Sequence, residues 1–280
     1  MKTFDFALLN QGYYKGNNWN FGPICSSFTR LYLVKEGTAN IDIGGKNYTL
    51  TPGHLYLIPT LVTHYDHCTV SFGHYYLHFV DRSKQLIDYY HRCELPFQID
   101  ATNDDRIVFN RLLSLCPDIV LSNPMPETYD TSAGMVKSAQ RFQMLPIGVR
   151  MEVNALIMLL LSRFFHYAKR PLRVNDARIQ HTLYTIEKNL RKNFTIEDLA
   201  DDVNLGKYRF IRLFKDQVGY TPTDYIIRQR IQQAQMLFID GNQSVKEVAV
   251  SLGYDNVSYF TRLFRKITEL TPTQFIKQNK

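Results

Sequence analysis

Cysteine is scarce in this chain of 280 residues: the four present, Cys25, Cys68, Cys93 and Cys116, show no C-x-x-C or other ligand-like spacing. That excludes a zinc ribbon or a disulfide scaffold and fits a reducing compartment, so a cytoplasmic location is expected. A long apolar run is missing too. The most apolar segment, residues 153–165, is interrupted by Asn154 and Arg163 and falls short of the roughly 20 residues that cross a bilayer. It reads as a buried helix, with no membrane partner. Residues 1–10 lack the apolar core and small-residue cleavage site of a secretion signal, so export is not expected. Strong charge is also absent: a net +7 hints at a polyanionic partner without naming one.

What the chain does have is a repeat. Residues 199–226 return fifty residues later, with FIRLFK (210–215) answered by FTRLFR (260–265) and YTP (220–222) by LTP (270–272). Each copy reads as a short helix, a turn and a second helix with a cationic face, the layout of a major-groove reader. The boundaries are marked. Thr195-x-x-Asp198 and Ser244-x-x-Glu247 are capping patterns for the first helix of each copy. Thr221-Pro222-x-Asp224 and Thr271-Pro272-x-Gln274 place proline at the start of the helix that follows, where no amide bond is lost.

On a helical wheel, Phe210, Leu213, Phe214 and Gln217 share one side, and Tyr208, Ile211, Arg212 and Lys215 the other. In the second copy Phe260, Leu263, Phe264 and Ile267 face inward while Ser258, Thr261, Arg262 and Arg265 face outward. Arg212 and Arg262, mid-helix, suit bidentate bonds to guanine O6 and N7. Lys207, Lys215, Arg265 and Lys266 lie toward helix ends and suit phosphates. Tyr208, Ile211, Val257, Ser258 and Thr261 suit thymine methyls or base edges. A helix of about seventeen residues (223–239) joins the copies and would span roughly 25 Å, against about 34 Å between successive major grooves on one DNA face.

The N-terminal part reads differently. Residues 28–80 alternate with period two and are punctuated by Gly37, Gly44-Gly45, Pro52-Gly53 and Pro59, as in a small β-barrel or sandwich. Leu55 and Leu57 alternate with Tyr56 and Ile58, so this strand is apolar on both faces. After Asp81 the period turns helical. The segment 148–168 carries an apolar face wider than a small barrel needs, which fits a helix covering the barrel, a dimer seam, or both.

The C-terminal hundred residues resemble the AraC/XylS family of bacterial transcription regulators through IEDLA (196–200), RLFK (212–215), GYTP (219–222), GYDN (253–256), SYF (258–260), RLFR (262–265) and TP (271–272). One departure is Gly206, where the family usually has a serine N-cap; glycine costs only a few tenths of a kcal/mol there. The N-terminal part resembles that family's cupin-like sensor through Gly37, LTPG (50–53), LIP (57–59) and His64-Tyr65.

The resemblance implies a two-domain α+β protein. A cupin-like β-barrel with a helical dimerisation segment would fill residues 1–168, a linker 169–177, and an all-α double helix-turn-helix domain 178–280. Its implied partners are double-stranded promoter DNA, RNA polymerase, a small-molecule effector such as a sugar, and a second copy of the chain. By the same resemblance Glu36, Tyr65, His74 and Tyr76 line an effector pocket and Trp19 stacks on a sugar-like ligand. A barrel that only dimerises or contacts proteins stays open as an alternative.

Enzyme chemistry finds little support. Metal-binding cupins present an H-x-H pair, a nearby glutamate and a later histidine, and none of that appears around His54, His64, His67, His74 and His78. No cysteine has the activating base or cation that a sacrificial DNA-repair thiol needs. No cofactor, no metal and no catalytic residue are expected.

Overall fold

The computed structural model describes residues 4–68, 70–83, 85–169, 174–240 and 243–279. By contact the chain divides after Ala168 into two compact units. Part of the expected linker, residues 170–173, lies outside the described residues.

The N-terminal unit begins with eight strands: β1 (Phe6–Gly16), β2 (Phe21–Ile24), β3 (Thr29–Gly37), β4 (Ala39–Ile43), β5 (Lys46–Leu50), β6 (His54–Ile58), β7 (His64–His67) and β8 (Phe72–Asp81). Then come α1 (Gln85–Arg92), β9 (Gln98–Asp100), α2 (Asn103–Leu115), α3 (Pro126–Tyr129), α4 (Ser132–Gln143) and α5 (Ile147–His166). One antiparallel sheet runs β1-β8-β3-β6-β9, the other β2-β7-β4-β5. Gly44 and Gly45, both at positive φ, make the two-residue turn that pairs Ile43 with Lys46.

The expected barrel is not closed: among the described residues no strand pairing joins the two sheets. Aromatic packing takes the place of backbone bonds there. The Phe97 ring lies 4.5 Å from Tyr48 on β5 and 5.5 Å from Tyr56 on β6.

Strands with two apolar faces explain the layering. Leu31, Leu33, Leu55, Leu57, Leu77 and Phe79 bury one face of the larger sheet under α2 and α5, against Val108, Phe109, Leu112, Val153, Ile157, Leu160 and Phe164. Tyr32, Val34, Tyr56, Ile58, Phe72 and Tyr76 point the other way, onto Ile41 and Leu50 of the smaller sheet. The five-stranded sheet is thus the middle of three layers. One face of α5 covers it, while Met144 just before the helix and Ile147, Met151, Met158 and Leu159 along it are left exposed.

The C-terminal unit is helical: α6 (Ala177–Lys188), α7 (Ile196–Asp201), α8 (Lys207–Val218), α9 (Pro222–Asp240), α10 (Val245–Ser251), α11 (Val257–Thr268) and α12 (Pro272–Asn279). Ile179, Leu183, Ile186, Leu199, Ala200, Phe210, Phe214 and Tyr225 form one core. Phe238, Phe264 and Phe275, with ring centroids 5.6–6.4 Å apart, anchor the second.

Candidate nucleic-acid interface and candidate effector site

Each helix-turn-helix is set by local bonds. Thr195 Oγ1 accepts from the Asp198 amide at 3.0 Å to open α7. Ser244 and Glu247 close a reciprocal capping box at α10, with bonds of 3.2 and 2.7 Å. In the turns the amide of Leu205 donates to Ala200 O at 2.9 Å and that of Tyr254 to Ala249 O at 3.0 Å, equivalent bonds 49 residues apart. α8 and α11 nonetheless start 50 residues apart, so the second turn holds one residue more. Asn204 (φ 53) and Gly253 (φ 81) make the left-handed bend in each. α8 starts at Gly206 with no side-chain cap, whereas Asn256 Oδ1 accepts from the Tyr259 amide at 2.9 Å to cap α11.

Both second helices then show the two faces. Phe210 and Phe214, and in the second copy Phe260 and Phe264, are fully buried. At about 100° per residue, Arg212 and Arg262 come out opposite these pairs, and both are exposed. Lys215, Ser258, Arg265 and Lys266 are exposed as well, and Tyr208 is 84% exposed. Ile211, Val257 and Thr261 sit half-buried on the flanks, and Ile211 packs against the first core. The inward assignment needs one correction: Gln217 is half-buried because its Oε1 accepts from the amides of Asn175 and Asp176, at 2.9 and 3.4 Å, holding the start of α6.

Two of the cations have partners within the chain. Lys207 Nζ lies 2.5 Å from Glu197 Oε1, an exposed pair worth little. The Arg262 guanidinium rests over the Tyr259 ring at 5.3 Å. Tyr259 and the exposed Arg209 occupy the same wheel position in their copies, and the wheel reading passed over both.

Arg230, 7% exposed on α9, donates to Leu190 O at 2.7 Å and Lys192 O at 2.8 Å, and its guanidinium lies 5.2 Å from the Tyr254 ring centroid. The connecting helix thereby ties the loop after α6 to the second turn. A buried arginine on a helix of mixed polar and apolar residues leaves no periodic signal.

The interior between the two sheets is the candidate effector site. Trp19, His74 and Tyr76 all reach it: Trp19 is 5.3 Å from His74 and 5.9 Å from Tyr32, ring to ring, and the Tyr76 hydroxyl accepts from the Leu121 amide at 3.2 Å. Glu36 and Tyr65 do not. A bulge between Val34 and Glu36 breaks the alternation, so Glu36 emerges at the surface, where it pairs with Lys15 at 2.8 Å and accepts from Tyr13. On β7, His64 and Asp66 point inward, which turns Tyr65 outward.

Instead the interior holds Arg30, His64, Asp66 and His78, which the sequence reading had not grouped. Burial keeps His64 and His74 neutral, with pKa values pulled down to about 3, drives His78 well below its ordinary value, and pushes Asp66 up to about 8. His64 and Asp66, 3.9 Å apart, are therefore a neutral contact at pH 7.

All four cysteines are buried, and burial pushes the Cys116 thiol up to about 11, away from reactivity. Among the described residues no three of His, Cys, Asp and Glu gather as metal ligands, and no single helix is long and apolar enough to cross a membrane.

Comparison with known proteins gives both units a family. Residues 12–89 match the AraC-like ligand binding domain and residues 199–278 a helix-turn-helix domain. The lactose operon transcription activator of Staphylococcus xylosus is 22% identical over 246 residues, 88% of this chain and 82% of its own length. The MmsAB operon regulatory protein of Pseudomonas aeruginosa is 32% identical over 106 residues, 38% of this chain and 34% of its own. Among solved structures, wild-type ToxT from Vibrio cholerae with unsaturated fatty acid bound superposes with a TM-score of 0.55, covering 100% of this chain and 98% of that one at 13% identity, a likeness of fold. With an AraC-like ligand-binding domain ahead of a helix-turn-helix domain, this chain belongs to the AraC family of transcription regulators.

Proposed function

We propose that α8 and α11 enter successive major grooves of a promoter, that a small molecule held between the two sheets controls this binding, and that two copies pair through α5. One observation carries the DNA-binding part. Arg212 and Arg262 are exposed at equivalent positions of two helices whose opposite faces bury phenylalanine pairs. In this reading Arg212 and Arg262 read bases, while Lys207, Lys215, Arg265 and Lys266 meet phosphates and Tyr208, Ile211, Val257, Ser258 and Thr261 meet base edges or methyls. The nineteen residues of α9 span about 28 Å, less than the roughly 34 Å groove repeat, so the DNA bends toward the protein.

The pairing of copies is supported by a stripe at coiled-coil spacing. Ile147, Met151 and Met158 follow one another on α5 at steps of four and seven residues and are 64%, 67% and 43% exposed. The ligand-binding part is supported by the family match over residues 12–89 and by the polar interior. A sugar would use Trp19 as a stacking surface, and the fatty acid bound to ToxT keeps organic acids in view. Residues 169–177 are the proposed linker through which the effector biases the DNA-binding unit, and RNA polymerase is the proposed recipient of the regulatory signal.

The test is selection of bound fragments from the source genome, followed by fluorescence anisotropy and circular-permutation gel shifts. One site spanning two major grooves, bent on binding and lost when both arginines are replaced, is the expected result. Straight DNA with both grooves occupied would contradict the geometry.

A further inference from the structure

Arg30 lies on β3 in the middle of the sheet-to-sheet interior and is 1% exposed. Its Nη2 donates to Asp130 Oδ2 at 2.9 Å and to Ser26 Oγ at 2.6 Å, and Ser26 in turn donates to the same carboxylate. Its Nη1 donates to the Tyr129 hydroxyl at 2.8 Å and lies 3.3 Å from His78 Nε2. The rings of Phe28 and Tyr129 flank the guanidinium at 4.7 and 5.5 Å, and Tyr129 also stacks on His78 at 5.4 Å. Tyr129 and Asp130 come from α3 and its C-cap, about a hundred residues further along the chain. A short helix is thus pinned into the sandwich by one carboxylate and one phenol.

Two features mark this as more than a packed core. Several buried polar atoms of the cluster find no hydrogen-bond partner among the described residues: Arg30 Nε, His74 Nδ1, His78 Nδ1 and Asp130 Oδ1. Buried polar atoms are satisfied in the great majority of cases, so such a set points to a guest that satisfies them. The second feature is charge. With the three histidines and Asp66 neutral near pH 7, the Arg30 guanidinium stands against the Asp130 carboxyl at 2.9 Å, which burial raises above its ordinary pKa and Arg30 pulls back. If Asp130 leaves, a permanently charged guanidinium stays buried without its carboxylate and must find another anion.

We propose that Arg30 anchors the carboxylate of a monocarboxylic effector, and that Asp130 is the internal occupant such a ligand displaces, releasing α3 from the sandwich. Bidentate geometry at the guanidinium suits a carboxylate, the free Arg30 Nε would serve its second oxygen, and Trp19, Tyr32 and Phe72 beyond His74 would receive an aromatic or apolar body. This rests on the reading of the N-terminal unit as a sensor, and it narrows that reading to an acid.

The sole tryptophan, Trp19, reports on the interior by its emission. Benzoate and hexanoate should change it saturably in the full chain, while benzamide and hexanamide should not. The Asp130→Ala chain should be stabilised against heat by acetate, which refills the position, but not by equal acetamide or chloride. Should that variant not fold, Asp130→Asn keeps the shape and removes the competing charge, and its benzoate affinity should rise about tenfold or more. Equal response to acids and amides would overturn the anchoring role of Arg30 and leave ligand sensing standing. No response to either acid, in the unsubstituted chain and in Asp130→Asn alike, would overturn the proposal, as would rescue of Asp130→Ala by acetamide as good as by acetate. DNA binding measured on the same preparations tests the regulator reading separately.

Discussion

A β-carbon on residue 253 would stand 2.3 Å from the carbonyl oxygen of Arg191, so Gly253 and Arg191 meet backbone against backbone. This contact seats the second turn against the loop that Arg230 holds through Leu190 O and Lys192 O. Gly253→Ala meets both that clash and an unfavourable φ of +81°, and should lower stability by about 2–3 kcal/mol. Gly44→Ala, also at positive φ but with nothing within 4 Å, should cost only about 1 kcal/mol. Urea denaturation of the two variants measures the difference; equal losses would mean the Arg191 contact contributes nothing.

The two classes of DNA contact should separate. Arg212→Ala and Arg262→Ala should each weaken specific binding by about 1–3 kcal/mol and relax preference at one base position. Lys215→Ala should weaken all sequences alike and reduce the slope of log affinity against log salt by about 0.9. Anisotropy titrations at several salt concentrations, on matched and single-substituted sites, distinguish them. Identical behaviour of the two classes would refute the sorting.

The copies end their second helices on unequal residues. Gly219 closes α8 at φ 85, and its counterpart Glu269 closes α11 at φ 63 with the same kind of bond, its amide donating to Arg265 O at 2.8 Å. A side chain in this left-handed position is strained where glycine is not. Glu269→Gly should therefore stabilise the C-terminal unit by about 0.5–1 kcal/mol, read as a raised denaturation midpoint. A lowered midpoint would mean that the Glu269 side chain contributes more than its backbone strain costs.

The buried titratable groups set a pH optimum. Burial pulls His64 and His74 down to about 3 and holds His78 well below the ordinary 6.5, while it pushes Asp66 from 3.8 up to about 8. As pH falls from 6.5 toward 4 the unfolded chain gains three imidazole protons that the folded interior refuses, outweighing the one proton that Asp66 keeps, so stability falls. Above about pH 7 the unfolded imidazoles are mostly neutral and the folded state alone retains the Asp66 proton, so stability falls as pH rises toward 8. Thermal unfolding of the N-terminal unit should peak near pH 7, and Asp66→Asn should flatten the alkaline limb. An alkaline limb unchanged in that variant would exclude Asp66 as its source.

Charge placed on the exposed stripe of α5 should break the proposed pairing of copies. Met151 is 67% exposed, so Met151→Glu should leave the fold intact and convert dimers to monomers in sedimentation velocity. A chain that is monomeric before the substitution, or dimeric after it, would count against α5 as the seam.

Short-range chemistry is readable from the residues alone. Capping residues, turn glycines, the period-two strands and the two faces of α8 and α11 each depend on residues within a turn or a strand of one another. Hence the duplicated helix-turn-helix was legible before any coordinates, whereas the resemblance alone pointed to His74 and Tyr76, and with them to Glu36 and Tyr65, which face outward.

Tertiary structure decided the rest. The bulge that turns Glu36 outward, the packing of Phe97 on Tyr48 and Tyr56, the Arg230 clasp and the pairing of Arg30 with Asp130 join groups that no sequence period relates. Burial then fixed their chemistry: a histidine or an aspartate has an ordinary pKa in the unfolded chain, and desolvation by distant parts of the same chain makes His74 and Asp66 neutral inside the sandwich.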